Sequence, residues 1–474
     1  MMEVKAVDFL SRIDRDREEM ITVLKDLISI PSVKEEPVEN APFGKEIAKA
    51  LDYVLAWGEK QGFSTNSFSG YAGHIEYGEG EETVGILVHV DVVPAGDGWT
   101  YGPFSGTIAE GRVYGRGTLD DKGPAVAVMY ALKALKEAQV KLKRKIRIIF
   151  GCDEESGWAC MDHYFQHEKK PTCGFAPDAE FPLINCEKGM LGLDLDGEVP
   201  LTPGQPQLLQ FQGGERRNVV PDYAEAIMLL SEPELERKAR NQLTDYFRQI
   251  AADDEKFQWH ESNGRFLLTA YGVAAHASLP QLGENALIKL ARILDGLNYQ
   301  GGAWDLLHFI AENIGPESNG RKLGIACSDE RFGELTLNLG VVSVKDGQIH
   351  LELDIRYPMC TNAESLTDQI RKRVAPLKLT VKPAHSLKPH YVPADDDLVQ
   401  TLLQAYRSET NDSARPLSVG GRTYAVALGN GVAFGPVFPG RPELAHKKDE
   451  YISLADLHAC ARIYARALHE LATK

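Results

Sequence analysis

VGILVHVD, residues 84–91, decides the fold. Its first five positions are apolar or glycine, and a histidine and an aspartate then appear two residues apart at its end. A run without polar alternation suits a strand covered on both faces, as in a parallel α/β sheet. IRIIF at 146–150 is a second such run. Between them, PAVAVMYALKALKEA at 124–138 has helical spacing, with Pro124 tolerated in the first turn. The alternation of buried strand and helix predicts an α/β domain.

Working outward, the first 60 residues read as two helices divided at Pro31, with Phe43, Ile47, Leu51 and Val54 on one face. From 187 to 384 the pattern changes. HLELDIRYP (350–358) and TLNLGVVSVKDGQIHLELD (336–354) alternate, as strands with one wet face do, and SEPELERKARNQLTDYFRQIAA (231–252) reads as a helix. This is an α+β insert. The α/β character returns with LSVGG (417–421), GVAFGP (431–436) and a last helix bearing Leu457, Cys460, Tyr464, Leu468 and Leu471 on one face. The expected organisation is therefore 1–186 and 385–474 as two parts of one domain, interrupted by 187–384.

The composition is that of a globular chain of 474 residues, 43% hydrophobic and 25% charged. That excludes a disordered chain, a coiled-coil rod and a collagen-like repeat. The net charge of −16 opposes binding to a phosphate backbone, so no nucleic-acid partner is expected. Seven cysteines without a C-x-x-C pair argue against a disulfide scaffold or a thiolate zinc site, and Cys152, Cys160, Cys173 and Cys186 read as buried thiols. The N-terminal residues lack the apolar stretch of a signal peptide, and no apolar run reaches 18 residues. A cytoplasmic protein with no membrane partner is the expectation.

Five constellations carry candidate chemistry. In HVD (89–91), His89 and Asp91 share one side of a strand, as a metal ligand and its orienting acid would; a hydrogen-bonded strand-end histidine is the plain alternative. In GRGTLDDKG (115–123), Asp120 could bridge two ions through its two oxygens, or simply cap the helix that follows. DEE (153–155) crowds three carboxylates after a buried strand, a strained cluster if it is not a solvated turn. Asp178 in PDAEFP (177–182) is a candidate ligand or a Pro-Asp turn. His446 in AHKKDE (445–450) is a ligand or a surface histidine. Together, two histidines and several carboxylates at strand ends are the inventory of a dinuclear site with oxygen and imidazole ligands, for which Zn²⁺, Mn²⁺ and Co²⁺ are all admissible.

In this order the five motifs resemble the M20 family of metallopeptidases over nearly the whole chain. ISIPSV (28–33), APDAEFP (176–182) and FPGRPELAHKKDEYI (438–452) resemble its dipeptidase branch most. The resemblance implies a zinc-peptidase-like α/β catalytic domain with an inserted α+β lid domain. It implies two divalent ions per chain, zinc foremost with manganese or cobalt as alternatives. His89, Asp120 and Asp178 would hold one ion, and Asp120, Glu155 and His446 the other. Asp91 would orient His89, Glu154 would be the general base, and Asp121 falls at a variable position. GVAAHASLPQLGENA (272–286) matches the lid motif, so His276 would donate to the oxyanion. Asn218 in ERRNVVPD would bind substrate, and Arg356, on the polar face of its strand, would hold the substrate carboxylate.

One stretch departs from the branch. Where three glycines precede Thr-Tyr, this chain has V-G-G-R-T-Y, with Arg422 in the third place and Val426 where an arginine is expected. Arg422 is expected to narrow or recharge the substrate pocket. An insert of roughly 200 residues is about twice the size found in simpler dimeric relatives, which predicts a monomer with a closing lid. The resulting expectation is a metallo-dipeptidase acting on small peptides with free termini. The alternative is an N-acyl amino-acid hydrolase or desuccinylase of the same fold. A non-catalytic binding protein would have lost Glu154 or a ligand, and all are present.

Overall fold

The computed structural model describes residues 8–199, 205–230, 233–413 and 415–474, with the side chains of 233–238 excepted. The chain divides into two compact units. One comprises Met1–Asn185, Tyr391–Leu417 and Arg422–Lys474; the other comprises Cys186–His390 and Ser418–Gly421.

The first unit is built on a nine-stranded sheet. At its centre Thr83–His89 runs parallel to Lys145–Gly151 on one side and to Cys173–Ala176 on the other, and Gly431–Ala433 extends the parallel set. Ala72–Tyr77 and then Ser64–Phe68 continue the sheet in antiparallel fashion, the latter at its edge. All seven residues of Thr83–His89 are buried, which is why its sequence shows no alternation. The helix Lys122–Glu137 is buried from Lys122 to Leu135 and packs against the last helix, Leu454–Thr473, which is why apolar residues occupy most of its circumference. Leu457, Cys460, Tyr464, Leu468 and Leu471 are all buried on that helix. Phe43, Ile47, Leu51 and Val54 are buried too, the last three on the helix Lys45–Lys60. The N-terminal region holds three helices rather than two, because the first breaks at Asp16 into Leu10–Arg15 and Arg17–Ile28.

The second unit is an eight-stranded antiparallel sheet. Its strand order is Phe257–Ser262, Arg265–Tyr271, Tyr223–Leu229, Gln207–Gly213, Thr336–Lys345, Gln348–Tyr357, Gly189–Glu198 and Thr380–Leu387. One face is apolar: Leu191, Leu193, Leu195, Leu351, Leu353 and Ile355 join a core with residues of the helices Ala286–Asp295 and Ala363–Val374. The other face carries Asp194, Asp196, His350 and Glu352 at the alternate positions. Thr380–Leu387 continues beyond residue 384, because its pairing with Gly189–Glu198 runs to Leu387.

Cys327 and Cys360 form a disulfide with a Cα–Cα distance of 6.6 Å. This pairing across 33 residues lies outside any C-x-x-C pattern. Cys152, Cys160, Cys173 and Cys186 are unpaired and buried. Among the described residues no helix is long and apolar enough to cross a membrane.

His74 lies buried in Ala72–Tyr77, its Nδ1 2.8 Å from the Tyr164 hydroxyl. Burial, and then the Arg147 charge, push its pKa down to about 4. In the unfolded chain the group titrates near 6.5. Between these values the unfolded chain binds a proton that the folded chain does not, so this stability is present above pH 6.5 and is lost as pH falls toward 4. Urea titrations at pH 6.5 and 4.5 should show the wild type losing about 2–3 kcal/mol more than His74→Phe.

Candidate metal centre

The candidate residues of the first unit converge beyond the ends of its parallel strands, where open α/β sheets place ligands. His89 is the last residue of Thr83–His89 and is fully buried. Asp120 lies in the turn before the helix Lys122–Glu137. Glu154 and Glu155 occupy the turn that follows Lys145–Gly151, and Asp178 stands two residues beyond Cys173–Ala176. His446 comes from the loop before Tyr451–Ser453.

Asp120 is the centre of this arrangement. Its Oδ1 lies 3.0 Å from His89 Nε2, and its Oδ2 lies 3.1 Å from His446 Nε2. Asp178 Oδ1 is 3.8 Å from His89 Nε2, and Glu155 Oε2 is 3.0 Å from His446 Nε2. Asp120 thus links His89 with His446. By mutual distance the ligand atoms also form two groups that share His89: His89, Asp120 and Glu155, and His89, Glu154 and Asp178, each within 4.8 Å of one another. A cavity of about 160 Å³, bordered by Asp120, Asp178 and Ala445, opens beside them.

The donor chemistry fits divalent cations. Among the described residues none of Asp91, Asp120, Asp121, Glu154, Glu155 and Asp178 is ion-paired to a lysine or arginine; the cationic partners are the two imidazoles. Both imidazoles aim Nε2 at carboxylate oxygens, so a metal ion and a proton compete for the same positions. The charges show the crowding. Burial, then the Asp120 and Glu155 charges, raise Asp178 to about 6 against the pull of His89. Hydrogen bonds to Asp120 and Glu155 raise His446 to about 10. Burial opposes ionisation of Asp120, yet His446 and His89 hold its carboxyl below the usual range. Glu154 is pushed well above the usual carboxylate range by burial, then by Asp178, Glu155 and Asp120.

The supports differ from expectation at two residues. His89 Nδ1 lies 3.0 Å from the Asp91 carbonyl oxygen but 3.5 Å from the Asp91 carboxylate. The carboxylate also accepts the backbone N–H groups of Glu154 (3.2 Å) and Glu155 (3.1 Å), holding the DEE turn against the HVD strand. Asp121, read from sequence as a variable position, is fully buried, and its Oδ2 accepts the His89 backbone N–H at 3.1 Å. Burial and the neighbouring acids Asp178 and Asp120 push its pKa well above the usual carboxylate range.

Three supporting residues escaped the sequence reading. Glu450 is fully buried, and its carboxylate accepts from the backbone of Gly117, Leu119 and Asp120 and from Arg116 Nη1 at 2.6 Å. It therefore ties the Asp120 turn to the His446 loop. Trp158 donates its indole N–H to Glu154 Oε1 at 3.1 Å. Tyr424, packed edge-on against both Trp158 and His89, lies beneath them. A Cβ on Gly151 would come within 1.9 Å of the Tyr424 hydroxyl, so only glycine allows that ring its place. The signal for Trp158 was present, since it follows the DEE run by three residues; Glu450 and Tyr424 act across hundreds of residues.

In the second unit, Asn218 and His276 are brought together by the bridge between Val219 and His276 and by the Ala277 N–H donating to the Asn218 carbonyl at 2.9 Å. Both side chains are exposed. The Ser278 N–H donates to His276 Nδ1 at 3.2 Å. Nδ1 is therefore the acceptor, and the neutral ring carries its proton on Nε2, as a donor. Arg356 is not an exposed strand charge. It does lie on the polar face, but residues 418–421 cover that end of the strand, and Arg356 is 2% exposed. Asp354 takes Nε and Nη2 at 2.5 and 3.0 Å, and the Gly420 carbonyl takes Nη1 at 3.1 Å. Two of its five N–H groups remain. Arg422 begins the last segment of the first unit and is half-buried. Asp194, His350 and Glu352 form a third potential ligand group, but Arg217 Nη2 already lies 2.5 Å from Asp194 and 3.0 Å from Glu352.

The family model described as "Peptidase family M20/M25/M40" matches residues 85–470. The chain is 41% identical over 466 residues to "Putative dipeptidase YtjP" of Bacillus subtilis (strain 168), covering 97% of this chain and 98% of that one. A "Putative dipeptidase" of Staphylococcus epidermidis is 39% identical over 459 residues, covering 96% and 97%. Among solved structures, human carnosine dipeptidase 1 has a TM-score of 0.59 at 16% identity, covering 98% of each chain. The aminoacylhistidine dipeptidase of Vibrio alginolyticus also has a TM-score of 0.59, at 15% identity, covering 95% and 96%. At these identities the structural likeness is one of fold.

Glu450 and Arg116 form a buried pair, at 0% and 2% exposure of their side chains. Glu450→Ala leaves the guanidinium and three backbone N–H groups without that acceptor. The variant should lose about 3–5 kcal/mol of stability in chemical denaturation.

Proposed function

The chain belongs to peptidase family M20/M25/M40, and on that premise we propose that it is a metal-dependent dipeptidase. The observation that carries the reading is the Asp120 carboxylate, with one oxygen facing His89 and the other facing His446. Glu154 is held beside them as a base. The dipeptidase names of the two near-full-length relatives support the substrate class over N-acyl amino acids.

We assign His89, Asp120 and Asp178 to one divalent ion and Asp120, Glu155 and His446 to a second, with zinc foremost and manganese or cobalt as alternatives. Such ions supply Lewis acidity toward a carbonyl and lower the pKa of water. The rest falls to side chains. Trp158 occupies Glu154 Oε1, which leaves Oε2 to take a proton from the attacking water. The raised pKa of Glu154 suits a group that must hold that proton and then return it to the leaving amine. His276, protonated on Nε2, has the donor for the developing oxyanion, and the exposed Asn218 amide offers a second polar contact. The two remaining N–H groups of Arg356 suit the terminal carboxylate of a short peptide. We assign Arg422 to substrate choice.

The test is a substrate panel with metal-stripped protein reloaded with Zn²⁺, Mn²⁺ or Co²⁺. Free dipeptides should be cleaved, and N-acetyl dipeptides and tripeptides should not. Cleavage confined to N-acetyl amino acids would move the activity to acylase chemistry. Glu154→Gln should lower kcat by about 10²–10⁴-fold with metal content unchanged. Trp158→Phe, which keeps an aromatic side chain but loses the indole N–H, should lower kcat by about tenfold or more while leaving KM in place. Arg422→Gly should alter the ranking of dipeptides, and an unchanged ranking would remove Arg422 from substrate choice.

A further inference from the structure

The second unit contains a cavity of about 520 Å³ that none of the assigned roles uses. That volume is within the range of small-molecule sites. Tyr246 and Ile250 of the helix Pro233–Asp253, Ile288 of Ala286–Asp295, and Leu337 supply apolar wall. Most of its charges are already matched: Lys289 pairs with Asp254 at 2.6 Å and with Glu284 at 3.3 Å, and Glu284 pairs with Lys256 at 2.6 Å. Two are not. Arg292 and Asp253 both line the cavity, both are exposed, and among the described residues neither side chain has a hydrogen bond or ion pair. One uncompensated cation and one uncompensated anion in an apolar-walled cavity match a zwitterion with an apolar body.

Other residues of the lining support the segments that carry Asn218 and His276. Val220, which lines the cavity, donates its N–H to the Ala275 carbonyl at 2.8 Å. Asn338, also in the lining, donates from Nδ2 to the Arg217 and Val219 carbonyls at 3.0 and 2.9 Å. Glu284 exchanges backbone hydrogen bonds with Val273, both 2.9 Å. A ligand in the cavity therefore touches the groups that set the backbone of residues 217–220 and 273–276.

We propose that this cavity is a regulatory site for a free α-amino acid with a large apolar side chain. The carboxylate is held by Arg292, the ammonium by Asp253, and the side chain lies against Ile250 and Ile288. Occupancy acts on the Asn218 and His276 segments. The binding claim stands on the cavity alone; the regulatory claim rests on the dipeptidase reading, since such amino acids are products of that reaction.

The experiment is calorimetric titration of the metal-loaded protein with L-phenylalanine. N-acetyl-phenylalanine, which lacks the ammonium, and phenylalaninamide, which lacks the carboxylate, serve as controls. L-Phenylalanine should bind in the millimolar range or tighter, and each control should bind at least about tenfold more weakly. Arg292→Ala and Asp253→Ala should each weaken binding by a similar factor, and Ile250→Trp, which sets an indole in the place assigned to the ligand's side chain, should weaken it by at least about tenfold with the thermal transition retained. Arg356→Ala should leave binding unchanged. Absence of binding at millimolar concentration overturns the proposal. So does binding that Arg356→Ala removes and that Arg292→Ala and Asp253→Ala leave intact, because the amino acid then sits elsewhere. In dipeptide hydrolysis, L-phenylalanine should change kcat/KM of the wild type and not of Ile250→Trp; an equal change in both overturns the regulatory role. A protein that binds L-phenylalanine through Arg292 and cleaves no dipeptide would refute the activity and leave the site standing.

Discussion

Like charge forced into one place is the constraint on which the first unit depends. Asp91, Asp120, Asp121, Glu154, Glu155 and Asp178 gather around two imidazoles, and none of the six has a lysine or arginine as ion-pair partner among the described residues. Each carboxyl is kept tolerable in its own way. Asp91 spends both oxygens on the backbone of the DEE turn. Asp121, its pKa raised by burial, holds the His89 backbone. Asp120 is ionised between the imidazoles. The same repulsion that would unfold an ordinary strand end suits this one to a cation.

How legible this was depends on the range of each interaction. VGILVHVD could be read because burial on both faces erases alternation, and because a histidine and an aspartate at the end of such a strand need partners. The last helix could be read because its packing stripe is periodic along the chain. Glu450 could not. It reaches back more than 300 residues to the Asp120 turn, and in sequence it is one acid in a run of charges. Strand geometry places Asp91 on the side of His89, but it does not say that its carbonyl as well as its carboxylate would face Nδ1, or that the carboxylate would also hold the DEE turn.

Arg356 shows the same limit in the second unit. Its alternation with Leu353 and Ile355 placed it correctly on the other face of the sheet, but exposure is not a property of alternation. Four residues from far along the chain, 418–421, cover that end and bring the Gly420 carbonyl to the guanidinium. The Asp354 carboxylate beside it is equally buried, so the pair is an internal ion pair with donors left over. His276 is the opposite case: its local turn, with the Ser278 N–H on Nδ1, selects the tautomer without help from distant residues.

The tie made by Glu450 has a bearing on how the chain tolerates change in length. His446 faces Asp120, and Glu450, four residues later, grips the backbone of that same Asp120 turn. The loop between them is anchored at both ends to one short segment more than 300 residues away. Surface loops usually accept insertions with little penalty. This one cannot gain or lose a residue without pulling either the imidazole or the carboxylate out of register. Drift in loop length, the commonest variation between related chains, is thus closed off here by a gauge of four residues.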